Sequence, residues 1–155
     1  MKILYICTHN RCRSILSEAI TNHRAAGALI ARSAGSQPAG EVHPLSLKYL
    51  AEAGIPTRGL KSQSWDEFED FAPDVVITLC DSAAGESCPL WFGKAIKLHW
   101  GLEDPSKLSG GESVIAEAFR QAIQTIEARV DGLLTVAAMT ADERAEALRK
   151  LSGAH

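Results

Sequence analysis

The 155-residue chain has no apolar run approaching the roughly 18 residues that a membrane-spanning helix requires, so the reading includes no membrane span. It shows no secretory signal either. Met1 and Lys2 are followed only by Ile3, Leu4, Tyr5, Ile6 and Cys7 before His9, Asn10 and Arg11 end the apolar stretch. The expected compartment is the cytoplasm. Positive charge is also scarce: 16 Lys and Arg stand against 19 Asp and Glu, for a net charge of −3. Nucleic acid is therefore not expected as a partner, because phosphate backbones are held by basic surfaces. There is no Walker loop, no dinucleotide fingerprint, no His pair at metal spacing, no internal repeat and no low-complexity tract. His23, His43 and His155 read as surface residues. Trp65, Trp91 and Trp100 read as core or loop packing.

What is present is ordinary globular composition, with 46% hydrophobic and 23% charged residues. The length suits one domain with one sizeable core. Lys2–Ile6 reads as a buried strand. A helix follows from Ser14, with Ile15, Leu16, Ala19, Ile20 and Ala26 on one face and Gly27 as its stop. Further strands are expected at Leu29–Ser36, Asp74–Leu79 and Ala95–Trp100. Leu45 to Ala53 reads as a helix stopped by Gly54 and Pro56, and Trp65–Phe71 as a short one. Ser113–Leu134 carries the strongest helical period, through Ile115, Phe119, Ala122, Ile126, Val130 and Leu133. Thr140 can cap a last, charge-rich helix, with Glu143 three residues on. Strand–helix alternation predicts an α/β three-layer sandwich: a four-stranded parallel sheet with helices on both faces. Residues 1–138 form the expected domain, and 139–155 a helical extension of it. The segments after Ile6, Leu79 and Trp100 should meet along one sheet edge, where such folds bind ligands.

The first of these segments is Cys7-Thr8-His9-Asn10-Arg11-Cys12-Arg13-Ser14, between a strand and a helix. A loop there can turn backbone N–H groups inward as an anion nest, and the helix adds its positive end. Arg13 can fork two hydrogen bonds to one anion. That field, with the Ser14 hydroxyl, should hold Cys7 as a thiolate beneath a tetrahedral oxyanion, placed for in-line attack. The competing reading makes Cys7 a small buried hydrophobe. Four cysteines could also suggest zinc, but gaps of four residues (Cys7 to Cys12) and seven (Cys80 to Cys88) do not match the usual paired spacing.

This loop at the N-terminus resembles that of low-molecular-weight protein tyrosine phosphatases, and still more that of the arsenate reductases sharing their fold. Ser33-Ala34-Gly35 and His99-Trp100-Gly101-Leu102-Glu103-Asp104-Pro105 support the likeness, which covers about residues 2–135. One departure is His9, where these loops usually carry Gly. Gly permits positive φ, and His tolerates it better than most residues, so the loop is still expected to close. The resemblance implies that Asp104 is the general acid. Phosphatases usually place Tyr after Asp-Pro, whereas Ser106 and Lys107 follow here. A reductase needs further thiols. The resemblance implies a relay in which Cys80 attacks the Cys7–arsenic adduct and Cys88 resolves the Cys7–Cys80 disulfide, leaving Cys80–Cys88 for an external dithiol. Cys12 is expected to be structural.

Implied ligands are arsenate, phosphate and sulfate. The implied donor is thioredoxin, or glutaredoxin with glutathione. No cofactor is required, and a monomer is expected. Asn10, Glu18 and Ser33 match positions that hold potassium in some of these reductases. Asn10 could equally pin the loop, and Glu18 could be a solvated helix residue. The competing functions are a low-molecular-weight tyrosine phosphatase and a non-catalytic oxyanion-binding or redox-sensing protein.

Overall fold

The computed structural model describes residues 1–25, 27–79, 95–107 and 110–152. Ala26, Cys80, Cys88 and Trp91 lie outside the described residues. Lys2–Ile6 forms β1, and Ile3 to Ile6 are all buried because both faces of the strand are covered. Ile3 and Tyr5 enter the larger core. Leu4 and Ile6 enter a smaller one with Phe68 and Val76. The other strands are β2 (Ile30–Ala34), β3 (Val75–Thr78) and β4 (Ile96–His99). All pair in parallel, in the order β2-β1-β3-β4. The register lines up Ala34, Ile6, Thr78 and His99 in one row at the carboxyl ends. From β1 the chain steps to one side for β2 and then crosses to the other for β3. The crevice of this topology therefore opens at the end of β1, where Cys7 begins.

The helices are α1 (Arg13–Ala25), α2 (Pro44–Glu52), α3 (Glu112–Ala137) and α4 (Ala141–Ser152). Most of their buried apolar residues join the larger core, where the Tyr49 and Phe119 rings stack with centroids 4.9 Å apart. The two helical layers are unequal. Among the described residues, the opposite sheet face is covered by the 3₁₀ helix Trp65–Phe71, which buries Phe68. That helix has a capping box between Ser64 and Glu67. Trp100 lies in the larger core, and Trp65 packs at the edge of the smaller one.

Three expectations need correction. The second strand ends at Ala34, not Ser36, because Gly35 leaves the sheet and bridges to Ser64. The Leu45–Ala53 helix starts at Pro44, and His43 is its N-cap rather than a surface residue. The His43 Nδ1 accepts from the Leu45 N–H at 3.1 Å, and Pro44 suits the first turn, where its missing N–H costs nothing. The long helix runs beyond the expected Ser113–Leu134 at both ends, although its buried stripe is the one the period marks. Thr140 accepts from the Glu143 N–H at 3.4 Å at the start of α4.

The last helix is docked. Leu148 is 1% exposed and belongs to the larger core. No helix among the described residues is long and apolar enough to cross a membrane. Leu148→Ala should lower the unfolding free energy by about 2–4 kcal/mol, the usual cost of a buried Leu cavity. Urea titration measures this, and a loss below about 0.5 kcal/mol would show that α4 contributes little to the core.

Candidate active site

The backbone of the Cys7–Arg13 loop is oriented by where its carbonyls go. The Thr8 carbonyl accepts from the Gln37 N–H at 2.9 Å, and the His9 carbonyl from the Ala39 N–H at 3.0 Å and the Ser62 hydroxyl at 3.1 Å. The Arg11 carbonyl accepts from the His43 N–H at 3.0 Å and the Ser46 hydroxyl at 3.3 Å. The Cys12 carbonyl accepts from Leu16 N–H in α1 at 2.8 Å. In a planar trans peptide the next N–H points opposite its carbonyl. The amides of His9, Asn10 and Cys12 are therefore turned away from these contacts. Among the described residues, the amides from His9 to Arg13 meet no acceptor. With the α1 N-terminus they form a set of donors suited to an oxyanion. Cys7 sits at the start of the loop, 5% exposed, with its N–H on the Ala34 carbonyl at 3.2 Å.

The left-handed residue in this loop is Asn10, at φ 49°, not His9. His9 thus needs no glycine-like conformation for the loop to close. His9 is exposed, and its Nδ1 lies 3.1 Å from the Gln37 carbonyl. Asn10 is fully buried and held from two sides. Its Oδ1 accepts from the Gln63 N–H at 2.8 Å, and its Nδ2 donates to Ser14 Oγ at 2.8 Å. Side-chain partners of this kind are what let Asn adopt αL. Gly35 packs directly beneath. A Cβ there would lie 2.5 Å from the Thr8 carbonyl oxygen and 2.8 Å from that of Cys7.

Arg13 reaches across to the loop after β4. Its Nη1 donates to the Leu102 carbonyl at 3.1 Å, and Nη2 stands 3.8 Å from Asp104 Oδ2. The fork expected on an anion is thus turned toward Asp104, while the buried Arg13 Nε has no partner among the described residues. Asp104 Oδ1 accepts from both the N–H and the hydroxyl of Ser106, at 2.9 and 2.6 Å. Cys7, Arg13, Ser14 and Asp104 are therefore gathered at one edge, and Arg11 is exposed at the rim. Cys12 is buried against Ser46 and Asp104, and burial pushes its thiol up to about 12. It stays protonated at neutral pH, which fits a structural role.

Behind the loop, Glu18 is 7% exposed, and its Oε1 accepts from the Ser33 hydroxyl at 2.6 Å. It is no solvated helix residue. Burial raises its pKa, opposed by the Ser33 hydrogen bond and by Arg32. No cation among the described residues lies within ion-pair distance of it. Gln63 links Asn10 to this pair, since its Nε2 donates to the Ser33 carbonyl at 3.4 Å. Amide, carboxylate and hydroxyl oxygens are hard-cation donors, and the carboxylate lacks a fixed counter-charge. The set fits a potassium ion chemically. Glu18 and Gln63 also line a cavity of about 690 Å³ with Arg32 and Arg58. Gln63, Ser46 and His43 are loop supports that sequence reasoning missed, and no local motif marks them.

Cys80 and Cys88 lie outside the described residues, but Leu79, which precedes Cys80, lies within them. Leu79 N–H donates to the Ile6 carbonyl at 2.9 Å, and Ile6 pairs with Thr78. Leu79 thus lies against Ile6, the residue that precedes Cys7, at the end of β1.

The family model for low molecular weight phosphotyrosine protein phosphatase matches residues 2–146. A glutaredoxin arsenate reductase of Synechocystis sp. is 32% identical over 133 residues, covering 86% of this chain and 95% of that protein. Among solved structures, an arsenate reductase in the phosphate binding state superposes with a TM-score of 0.72 at 30% identity, covering 86% of this chain and 96% of the other. A thioredoxin-dependent arsenate reductase of Corynebacterium glutamicum gives 0.67 at 29% identity, covering 88% and 61%.

Gly35→Ala should push the Thr8 and Cys7 carbonyls out of place and spoil the donor set. Sulfate should raise the melting temperature of the parent protein and leave that of Gly35→Ala nearly unchanged. An equal sulfate-induced rise in both proteins would show that the loop does not depend on this approach.

Proposed function

The chain belongs to the low molecular weight phosphotyrosine protein phosphatase family, and on that premise we propose that it reduces arsenate to arsenite with Cys7 as nucleophile and Cys80 and Cys88 as relay thiols. Arsenate takes the amides of the Thr8–Ser14 loop, with the Arg13 guanidinium turned onto its oxygens. Phosphate and sulfate, of similar shape and charge, compete for the same place. The Cys7 thiolate bonds to arsenic, and one arsenic–oxygen bond breaks as Asp104 gives the leaving oxygen its proton. Cys80 then attacks the Cys7 sulfur. A sulfur–sulfur bond forms, and the sulfur–arsenic bond breaks with its electron pair left on arsenic. Arsenic is thereby reduced from the pentavalent to the trivalent state and departs as arsenite. Cys88 attacks Cys80 and releases Cys7. In sum, arsenate and two thiols give arsenite, water and one disulfide.

The observation that carries this reading is that Leu79, the residue before Cys80, donates its N–H to the carbonyl of Ile6, the residue before Cys7, at the start of a loop whose His9–Arg13 amides are left for an oxyanion. The roles of Cys80 and Cys88 themselves rest on sequence and family likeness. Thioredoxin is our proposed donor, supported by the Corynebacterium relative. The Synechocystis relative makes glutaredoxin with glutathione the competing donor. A reducing cytoplasm suits such chemistry, and the protein is taken to act as a monomer.

With thioredoxin, its reductase and NADPH, arsenate should trigger NADPH consumption. Cys88→Ser should stop turnover and trap a Cys7–Cys80 bond, visible by peptide mass mapping. Consumption only with glutaredoxin and glutathione would reassign the donor. Hydrolysis of an aryl phosphate that is indifferent to Cys80→Ser and Cys88→Ser, with no arsenite formed, would favour the phosphatase reading instead.

We also propose that Asn10, Glu18 and Ser33 hold a potassium ion, whose charge would offset the buried Glu18 carboxylate. Burial raises the Glu18 pKa above its ordinary 4.5, so the native state favours the protonated form. The resulting folding penalty is absent below about pH 4.5, grows as pH rises from there toward the raised value, and is complete above it. At pH 7.5, KCl should therefore raise the melting temperature relative to choline chloride by about 2–5 °C. Glu18→Gln should melt higher than the parent in choline chloride and lose the potassium increment. An unchanged increment in Glu18→Gln would place any potassium elsewhere.

A further inference from the structure

Arg129 on α3 is half-buried, and no carboxylate among the described residues lies within ion-pair distance of it. Burial pulls its pKa down. A guanidinium withdrawn from water without an acidic partner needs other acceptors. It has three. Nη1 donates to the Trp100 carbonyl at 3.3 Å and Nη2 to the Gly101 carbonyl at 3.2 Å, and the guanidinium carbon lies 5.6 Å from the Trp100 ring centroid. The next carbonyl, Leu102, is taken by Arg13 Nη1. Three consecutive carbonyls leading to Asp104 are thus gripped by two guanidinium groups from two helices. The amides of the same stretch are tied the other way, Trp100 to the Thr78 carbonyl at 2.8 Å and Leu102 to the Leu79 carbonyl at 3.0 Å. The turn is fixed on both sides, and Asp104 follows two residues later.

We infer that Arg129 is a positioning residue, which clamps the Trp100–Gly101 turn onto α3 and so sets where Asp104 stands over the Cys7 loop. Arg13 cannot do this alone, because in the proposed reaction its guanidinium turns onto the anion. Arg129, remote from the loop, holds the turn throughout. The inference rests on the reading of Asp104 as the acid. Misplacing a catalytic group by about an ångström costs up to a hundredfold in rate. The competing role is packing alone, in which the Arg129 stem covers Trp100 and its charge is incidental.

The fully reduced protein carries its own electrons, so arsenite released in a first turnover can be counted without any external donor. Arg129→Met keeps the apolar stem and removes the fork. It should lower the first-turnover rate roughly tenfold with half-saturating arsenate unchanged. Arg129→Lys keeps charge but not the fork, and should recover part of the loss. The decisive comparison uses Asp104→Asn. If Arg129 acts through Asp104, adding Arg129→Met to Asp104→Asn should cost nothing further. The same fractional loss in both backgrounds, or an unchanged rate with a lowered melting temperature, would reduce Arg129 to packing. An Asp104→Asn protein as fast as the parent would instead remove the acid assignment, and the inference with it.

Discussion

The site depends on one constraint of the peptide bond. Because the group is planar, a loop can present a row of N–H groups to an anion only if the matching carbonyls are satisfied elsewhere. Here the stretch from Gln37 to Ser46, together with Ser62, takes the carbonyls of Thr8, His9 and Arg11, while α1 takes that of Cys12. The cradle is thus built largely from outside the loop. Its closest approach is made possible by the missing side chain of Gly35. Its one left-handed residue, Asn10, carries a backbone cost of about 1–2 kcal/mol, offset by full burial and by bonds from Gln63 and to Ser14.

The surrounding charges follow the same logic. An anion in the cradle would be opposed by a second ionised sulfur, and burial prevents that by keeping the Cys12 thiol neutral. Arg13 and the α1 N-terminus supply positive field at close range. The buried Glu18 carboxylate is one layer behind, on the far side of Asn10 and Ser33. Asp104 is held by Ser106 and faces Arg13 across the mouth of the loop. The loop amides and Cys7, Arg13, and Asp104 come from the segment after β1, the start of α1 and the segment after β4. All three converge because the sheet is parallel and its strand ends are level.

Errors in reading the sequence cluster where local pattern and long-range partners disagree. Val75 to Ile77 and Ile3 to Ile6 were legible as strands because burial on both faces leaves an unbroken apolar run. The end of β2 was not, since Gly35 is claimed by Ser64 and by the loop, neither of which its own neighbours reveal. Trp65–Phe71, by contrast, was legible as a short helix and forms a 3₁₀ helix over the same residues. His43 has the exposure pattern of a surface residue, but the turn into Pro44 makes it a cap. The strained angle of the loop falls not on His9 but on its neighbour Asn10, which has the buried partners to sustain it.

By itself the sequence determined the alternation of strands and helices, the buried stripe of α3, and the place of the Cys7–Ser14 loop between a strand and a helix. These depend on residues close together in the chain, where period and spacing carry the signal. Tertiary structure alone decided which residue bears the left-handed turn, which segment receives the loop carbonyls, and how Arg13 and Arg129 divide the turn before Asp104. Those contacts join residues about 30 to 90 positions apart. They exist only once the strand order has placed the ends of β1 and β4 on the same edge.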